Sequence, residues 1–152
     1  MNKKVIDLLN QARERELHAI IQYMIQHYEL DNDGYDKLAG RMKAISIQEM
    51  KHAEKLGERI MFLGGVPSTK PAADAKKGLD LSGQMKFDEE LEAGAIKMYN
   101  DSAVICAAEG DQASKQLFEE LLADEEAHID EFQKTLDHIE KLGQAYIATL
   151  TG

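Results

Sequence analysis

Glu49-Met50-Lys51-His52 and, further on, Glu125-Glu126-Ala127-His128 are the two stretches on which the reading of this 152-residue chain turns. Each sets a Glu and a His three residues apart, a spacing that puts both on one face of a helix. Each also interrupts an apolar stripe of helical period. The first stripe is Leu38, Met42, Ile45, Leu56, Ile60 and Leu63, and the second is Phe118, Leu121, Phe132, Leu136 and Ile139. Moving outward, Glu16 lies as far before the Asp31-Asn32-Asp33-Gly34 turn signal as Glu49 lies after it. Glu92 and Glu125 flank Glu109-Gly110-Asp111 in the same way. In an antiparallel helical hairpin, residues equidistant from the turn lie side by side.

The rest of the punctuation agrees. Pro67 and Pro71, with Gly64, Gly65, Gly78 and Gly83, make residues 64–83 one long irregular connection between two arms nearly free of helix breakers. In each central turn a Gly suits the left-handed residue that ends one helix, and an Asp suits the N-cap of the next. The remaining helices carry the stripes Leu9, Ala12, Glu16, Ile20, Tyr23, His27, Leu30 and Met85, Glu92, Ala95, Tyr99, Cys106. The strict alternation of a half-buried strand is absent over any useful length. The expected fold is all-α: a four-helix bundle with one long crossover and a short C-terminal fifth helix over residues 144–150, with residues 1–152 as one domain.

Composition narrows the classes of function. Apolar residues are 43% and charged residues 30% of the chain, which excludes disorder, and no apolar run approaches the ~18 residues of a membrane-spanning helix. The N-terminal segment is broken by Asp7, Asn10, Arg13 and Glu14, so it reads as unprocessed and the chain as cytoplasmic. With 28 acidic against 18 basic side chains the net charge is −10, which disfavours nucleic acid and anionic membrane and suits a cation. A single Cys106 excludes an internal disulfide and any multi-Cys metal site.

Packing alone does not explain Glu16, Glu49, Glu92 and Glu125, with His52 and His128, on apolar stripes. Buried unpaired carboxylates cost several kcal/mol each. The two arms repeat one pattern, a Glu, a Tyr two turns later, then Glu-x-x-His: Glu16, Tyr23, Glu49, His52 and Glu92, Tyr99, Glu125, His128. Every position keeps the same offset, the mark of duplication. Four glutamates and two imidazoles converging from four helices suit two divalent cations, whose charge balances the carboxylates. An oxygen-rich set with two imidazoles and no thiolate favours iron or manganese over zinc. Each Tyr falls on its Glu stripe, where its hydroxyl reaches a carboxylate outside the ligand set.

The chain resembles the bacterioferritins of the ferritin-like di-iron proteins, a group built on one Glu from each of two helices and Glu-x-x-His from the other two. The likeness rests on Arg15-Glu16-Leu17 with Gln22-Tyr23, Glu49-Met50-Lys51-His52-Ala53, Arg59-Ile60-Met61-Phe62-Leu63 before Gly65-Val66-Pro67, and Asp124-Glu125-Glu126-Ala127-His128-Ile129-Asp130. It implies terminal metal ligands at Glu16, His52, Glu92 and His128 and bridging ligands at Glu49 and Glu125. It implies a ferroxidase that oxidises ferrous iron with O2 or H2O2 and stores the ferric mineral in a 24-subunit cage built from dimers. A ferredoxin-type reductant would release that iron. Tyr23 matches the family's tyrosine beside the centre. Met50 matches the residue that ligates haem at a two-fold interface, although a Met alone on that face also fits as interface packing. The family's inner-surface His and Asp are replaced here by Ala44 and Gln48, which argues against an accessory iron site of that type. Position 131 is Glu where some relatives have an aromatic residue.

A free-standing rubrerythrin-like di-iron peroxidase is the alternative, disfavoured by the lack of a four-Cys domain. A mini-ferritin shell fits poorly, since its sites lie between subunits. Elsewhere, His27 reads as a hydrogen-bonded core residue, His18 and His138 as solvated, and Cys106 as a small buried hydrophobe. Asp88-Glu89-Glu90 reads as a carboxylate run in the first turns of its helix, where the dipole favours it.

Overall fold

In a computed structural model, which describes residues 1–151, the chain forms five α-helices and a terminal 3-10 turn. They are α1 (Lys3–Asn32), α2 (Asp36–Phe62), α3 (Leu81–Ala108), α4 (Gln112–Leu142) and α5 (Gln144–Ile147), followed by the turn at Ala148–Leu150. The described residues contain no strand, and none of their helices is long and apolar enough to cross a membrane.

Local signals set the hairpin turns. Gly34 and Gly110 take φ of 88° and 76°, the left-handed conformation open to glycine at little cost. Asp111 caps α4 by accepting from Ser114 N at 2.9 Å. The first hairpin departs from the expected pattern: the N-cap of α2 is Tyr35, without a side-chain cap bond, and Asp36 falls inside the first turn.

Antiparallel pairing holds between hairpins as well as within them. Tyr23 of α1 meets Glu92 of α3 while Tyr99 meets Glu16. Along the other seam, Arg41 of α2 meets Glu131 of α4 and Arg59 meets Asp111. Helices α2 and α3 therefore run the same way, and the chain must travel back roughly 40 Å, the length of α2, between them. Residues 63–80 make that return over the outside of α1. Ala72 N donates to Glu14 O, and the Gln22 side chain is bonded to Lys76 N and O.

This crossover explains two differences from expectation. His18, on the Glu14–Gln22 side of α1, is buried rather than solvated, because the crossover covers that side and Phe87 packs edge-on against the ring at 6.4 Å. Helix α3 begins at Leu81, not after Gly83, with Asp80 as its N-cap accepting from Gly83 N at 2.7 Å. Asp88 consequently lies beyond the first two turns and is fully buried, so the dipole explanation does not apply to it. His138 is exposed and Cys106 buried, as expected. His27 is hydrogen-bonded, with Nδ1 2.6 Å from Ala39 O, but it is half-buried at the edge of the bundle rather than in the core.

Two apolar plugs fill the bundle. One contains Leu9, Leu56, Ile60, Cys106, Phe118 and Leu121, and the other Leu30, Leu38, Met42, Ile45, Met85 and Phe132. The polar residues of the stripes occupy the layer between them. Tyr99 packs on Phe118 in the first plug and Tyr23 on Phe132 in the second, each ring pair 5.7 Å apart. Both hydroxyls thereby face the middle layer.

Candidate metal centre

Each hairpin delivers its Glu-x-x-His from the second helix and a lone Glu from the first. All six of these side chains are buried, and they converge on one spot in the middle layer. Their ligand atoms form two overlapping sets, Glu16, Glu49, His52, Glu125 and Glu49, Glu92, Glu125, His128, with the atoms of each set within 4.8 Å of one another. Glu49 and Glu125 belong to both. The arrangement has the form of two adjacent four-ligand positions joined through two shared carboxylates.

The imidazoles are oriented from outside. His52 Nε2 lies 2.7 Å from Asp124 Oδ2, and His128 Nε2 donates to Gln48 Oε1 at 2.7 Å. In each ring Nδ1 is left toward the carboxylates: His52 Nδ1 is 3.0 Å from Glu125 and 3.2 Å from Glu49, while His128 Nδ1 is 3.4–3.5 Å from Glu49, Glu92 and Glu125. Fixing the outer nitrogen of a histidine selects the tautomer and aims the inner one, as outer partners of metal-bound histidines do. Gln48 and Asp124 immediately precede Glu49 and Glu125, so they belong to the same internal repeat. The repeat pairs an amide with a carboxylate at this position, so spacing alone does not single the two residues out.

The tyrosines are equally symmetric. Tyr23 donates to Glu92 Oε1 at 2.5 Å, and Tyr99 donates to Glu16 Oε1. The carboxylates they reach are two of the four central glutamates rather than groups outside the set. Burial, reinforced by those same glutamates, holds both phenols well above their usual pKa, so they remain donors.

One member of the centre was not foreseen. The Arg15 guanidinium is buried among the four carboxylates, 2.5 Å from Glu49, 3.2 Å from Glu92, 3.3 Å from Glu125 and 3.4 Å from Glu16. The cluster therefore contains a fixed cation of its own, and the balance of four carboxylates against two metal cations omits it. Arg15 flanks Glu16 and was read only as a matching residue of the motif. Its neighbours on the same face, Ala12 and Ala19, are small and buried, which leaves room for a guanidinium to turn inward. The repeat gives the other clue: the position equivalent to Arg15 is the apolar Leu91.

Electrostatics divide the carboxylates. Burial alone would raise all four, but Arg15 and the neighbouring histidines outweigh it at Glu16 and Glu92, which are held below the usual carboxylate range. Burial dominates at Glu49 and Glu125, and the charge on Glu16 adds to it, so both titrate well above that range. Burial would lower both histidines. Their carboxylate neighbours, Glu125 for His52 and Glu92 for His128, raise them instead.

The cluster fits a metal pair on its own chemistry. Even with Arg15 present, Glu16 Oε2, Glu49 Oε1, Glu92 Oε2 and His128 Nδ1 are buried without a hydrogen-bond partner. Buried polar atoms without a partner are sites for a ligand such as a metal ion. A groove of about 520 Å³, lined by residues including Gln48, Asp130 and Glu131, reaches His128 from the surface.

Met50 stands apart from the six. It is 53% exposed on the outer face of α2, in a shallow groove of about 660 Å³ with Leu17, Ile20, Met61 and Pro67. Glu131 forms a two-point ion pair with Arg41, 2.9 and 3.2 Å.

The ferritin-like domain family model matches residues 6–142. The chain is 41% identical to the bacterioferritin of Desulfovibrio desulfuricans over 98% of its own length and 83% of that protein. It is 44% identical to the bacterioferritin of Brucella melitensis over 93% of its length and 88% of the relative. The D. desulfuricans structure, described with its diiron site in different catalytic states, superposes with a TM-score of 0.96 over 98% of this chain and 87% of that one. Rhodobacter capsulatus bacterioferritin, described with a metal-free dinuclear site and haem iron in a crystallographic special position, is 33% identical, with a TM-score of 0.96 over 100% of this chain and 96% of that one.

Proposed function

The chain belongs to the bacterioferritins of the ferritin-like family, and from that premise we propose that it is an iron-storage ferroxidase. The observation that carries this reading is the pair of overlapping ligand sets sharing Glu49 and Glu125. Glu16 with His52 and Glu92 with His128 are the terminal ligand pairs, and Glu49 and Glu125 bridge. When bound there, two irons supply the electrons that reduce O2 or H2O2. The protein's part is to hold the ligands, keep the layer dry between the two apolar plugs, and anchor the terminal glutamates through Tyr23 and Tyr99. Asp124 and Gln48 keep the imidazole Nδ1 atoms turned inward.

Ferrous iron is the substrate, and the acidic surface of the chain favours its approach. The product is stored in a 24-subunit cage built from dimers, with residues 1–152 as one domain of each subunit. The exposed side chains of Ile21, Ile47, Met50, Met61 and Phe62 are the apolar surface that assembly would cover. Haem binds through Met50 at a two-fold interface, and a ferredoxin-type partner supplies electrons for iron release. The compartment is the cytoplasm. The relatives described above are bacterioferritins, and no observation favours a free-standing peroxidase.

The test is an anaerobic ferrous titration, followed by addition of oxidant, with the mass of the assembly measured alongside. Saturation at two irons per chain, rapid oxidation and a 24-subunit mass are expected. Saturation far from two, or a chain that oxidises iron as a monomer or dimer, would overturn the reading.

A further inference from the structure

Arg15 breaks the symmetry of an otherwise two-fold centre. Glu16, Tyr23, Gln48, Glu49 and His52 each have a counterpart of matching role in the second hairpin, but the counterpart of Arg15 is Leu91, which offers only its carbonyl to the guanidinium at 3.4 Å. A lone arginine side chain, 5% exposed, thus contacts all four carboxylates. Its Nη1 touches Glu49 Oε2 and Glu125 Oε2, oxygens of the two residues common to both ligand sets.

A divalent cation bound to carboxylate oxygens sits at about 2.0–2.2 Å. Two cations sharing Glu49 and Glu125 need both oxygens of each, and the guanidinium N–H groups occupy Glu49 Oε2 and Glu125 Oε2. With two divalent cations added, the four carboxylates are neutralised and the arginine charge becomes an excess in a layer of low polarity, where like charges repel strongly. We propose that Arg15 is the internal counter-ion of the metal-free centre, a tethered cation that holds the four glutamates together and must withdraw as cations load. The inference rests on the metal-centre reading above. It makes Arg15 a positioning residue that weakens the affinity of the centre for the first cation and keeps the empty centre folded.

The test uses the intact assembly, Co2+ as probe, and the variants Arg15→Gln and Arg15→Leu. Calorimetric titration is expected to show Co2+ binding tighter in both variants by on the order of tenfold or more, the scale of one charge-assisted hydrogen bond removed from competition. The metal-free variants should melt below the wild type, and Co2+ should raise their midpoints by more than it raises that of the wild type. Unchanged or weaker Co2+ affinity in both variants overturns the proposal. A crystal structure of Co2+-loaded wild type decides the matter even if neither variant folds: the guanidinium should have left Glu49 and Glu125, and retained contacts overturn the proposal. Two Co2+ per chain with unaltered affinity would sink the role of Arg15 alone. No Co2+ bound by any form would sink the metal centre itself, and this inference with it.

Discussion

Tyr23 in α1 donates its hydroxyl to Glu92 in α3 at 2.5 Å, so a side chain of the first hairpin anchors a central carboxylate of the second. Tyr99 returns the contact to Glu16, and the centre is laced by two crossed bonds. Each ring is packed in an apolar plug. Removing a hydroxyl therefore leaves the packing and takes the shortest hydrogen bond from a buried carboxylate oxygen, whose nearest remaining neighbour is Arg15. Tyr23→Phe should destabilise the metal-free protein by about 1–3 kcal/mol, and Tyr99→Phe by a similar amount. Chemical denaturation of the metal-free variants checks this, and wild-type stability in both would show that the hydroxyls hold nothing.

Glu125 and Glu126 are adjacent, but Glu125 is fully buried in both ligand sets whereas Glu126 is exposed. Glu125→Ala should abolish stoichiometric cation binding and the fast phase of ferrous oxidation, and Glu126→Ala should leave both nearly intact. Equal losses in an anaerobic titration and a stopped-flow trace would mean that the register of α4 has been misassigned.

The two hairpins and their six converging residues were legible because helical period, turn glycines and an internal repeat all point the same way. Arg15 was not, because a basic residue beside a ligand reads as helix surface. Its inward course depends on Ala12 and Ala19 being small and on the charge of helices distant in sequence. His18 was misread for a similar reason: its helical face is outward until residues 63–80 lie across it. The start of α3 was hidden by Gly83, which resembles loop. A side chain there would put its Cβ 2.7 Å from Asp80 Oδ1, the atom that caps the helix, so the glycine serves the cap.

Asp111 ties the hairpins at their far end. It caps α4, accepts from Ser114 Oγ at 2.7 Å, and pairs with Arg59 of α2 at 2.8 Å. Burial would raise its carboxyl, but the bonds from Ser114 and Arg59 prevail and hold it below its ordinary value of 3.8. A carboxylate depressed in the folded state stabilises fully above its unfolded pKa and loses that contribution as pH falls through the folded one. Asp111→Ala should therefore cost about 1–2 kcal/mol near neutral pH. The gap to wild type should narrow below pH 3.8. Denaturation midpoints measured down the acid range check the sign, and a gap that widens toward acid would refute it.

Met50 occupies the residue between Glu49 and Lys51 on α2, yet it projects onto an exposed apolar groove while Glu49 is buried in the centre. The two faces of one helix turn thus separate the proposed haem ligand from the proposed metal centre. Met50→Leu keeps most of the volume and the apolar character, so subunit association should change by less than about 1.5 kcal/mol per site. A leucine has no sulfur to offer to iron, and protein expressed with haem available should lose or shift its Soret band. The six central residues are untouched, so ferrous oxidation should keep its fast phase, while reductive iron release, which needs electrons carried inward, should slow. The combined measurement is a visible spectrum, a stopped-flow oxidation trace and a release assay on the same assembled protein. A wild type without Soret absorption would return Met50 to interface packing. Loss of the fast oxidation phase in the variant would show that the two faces are not independent.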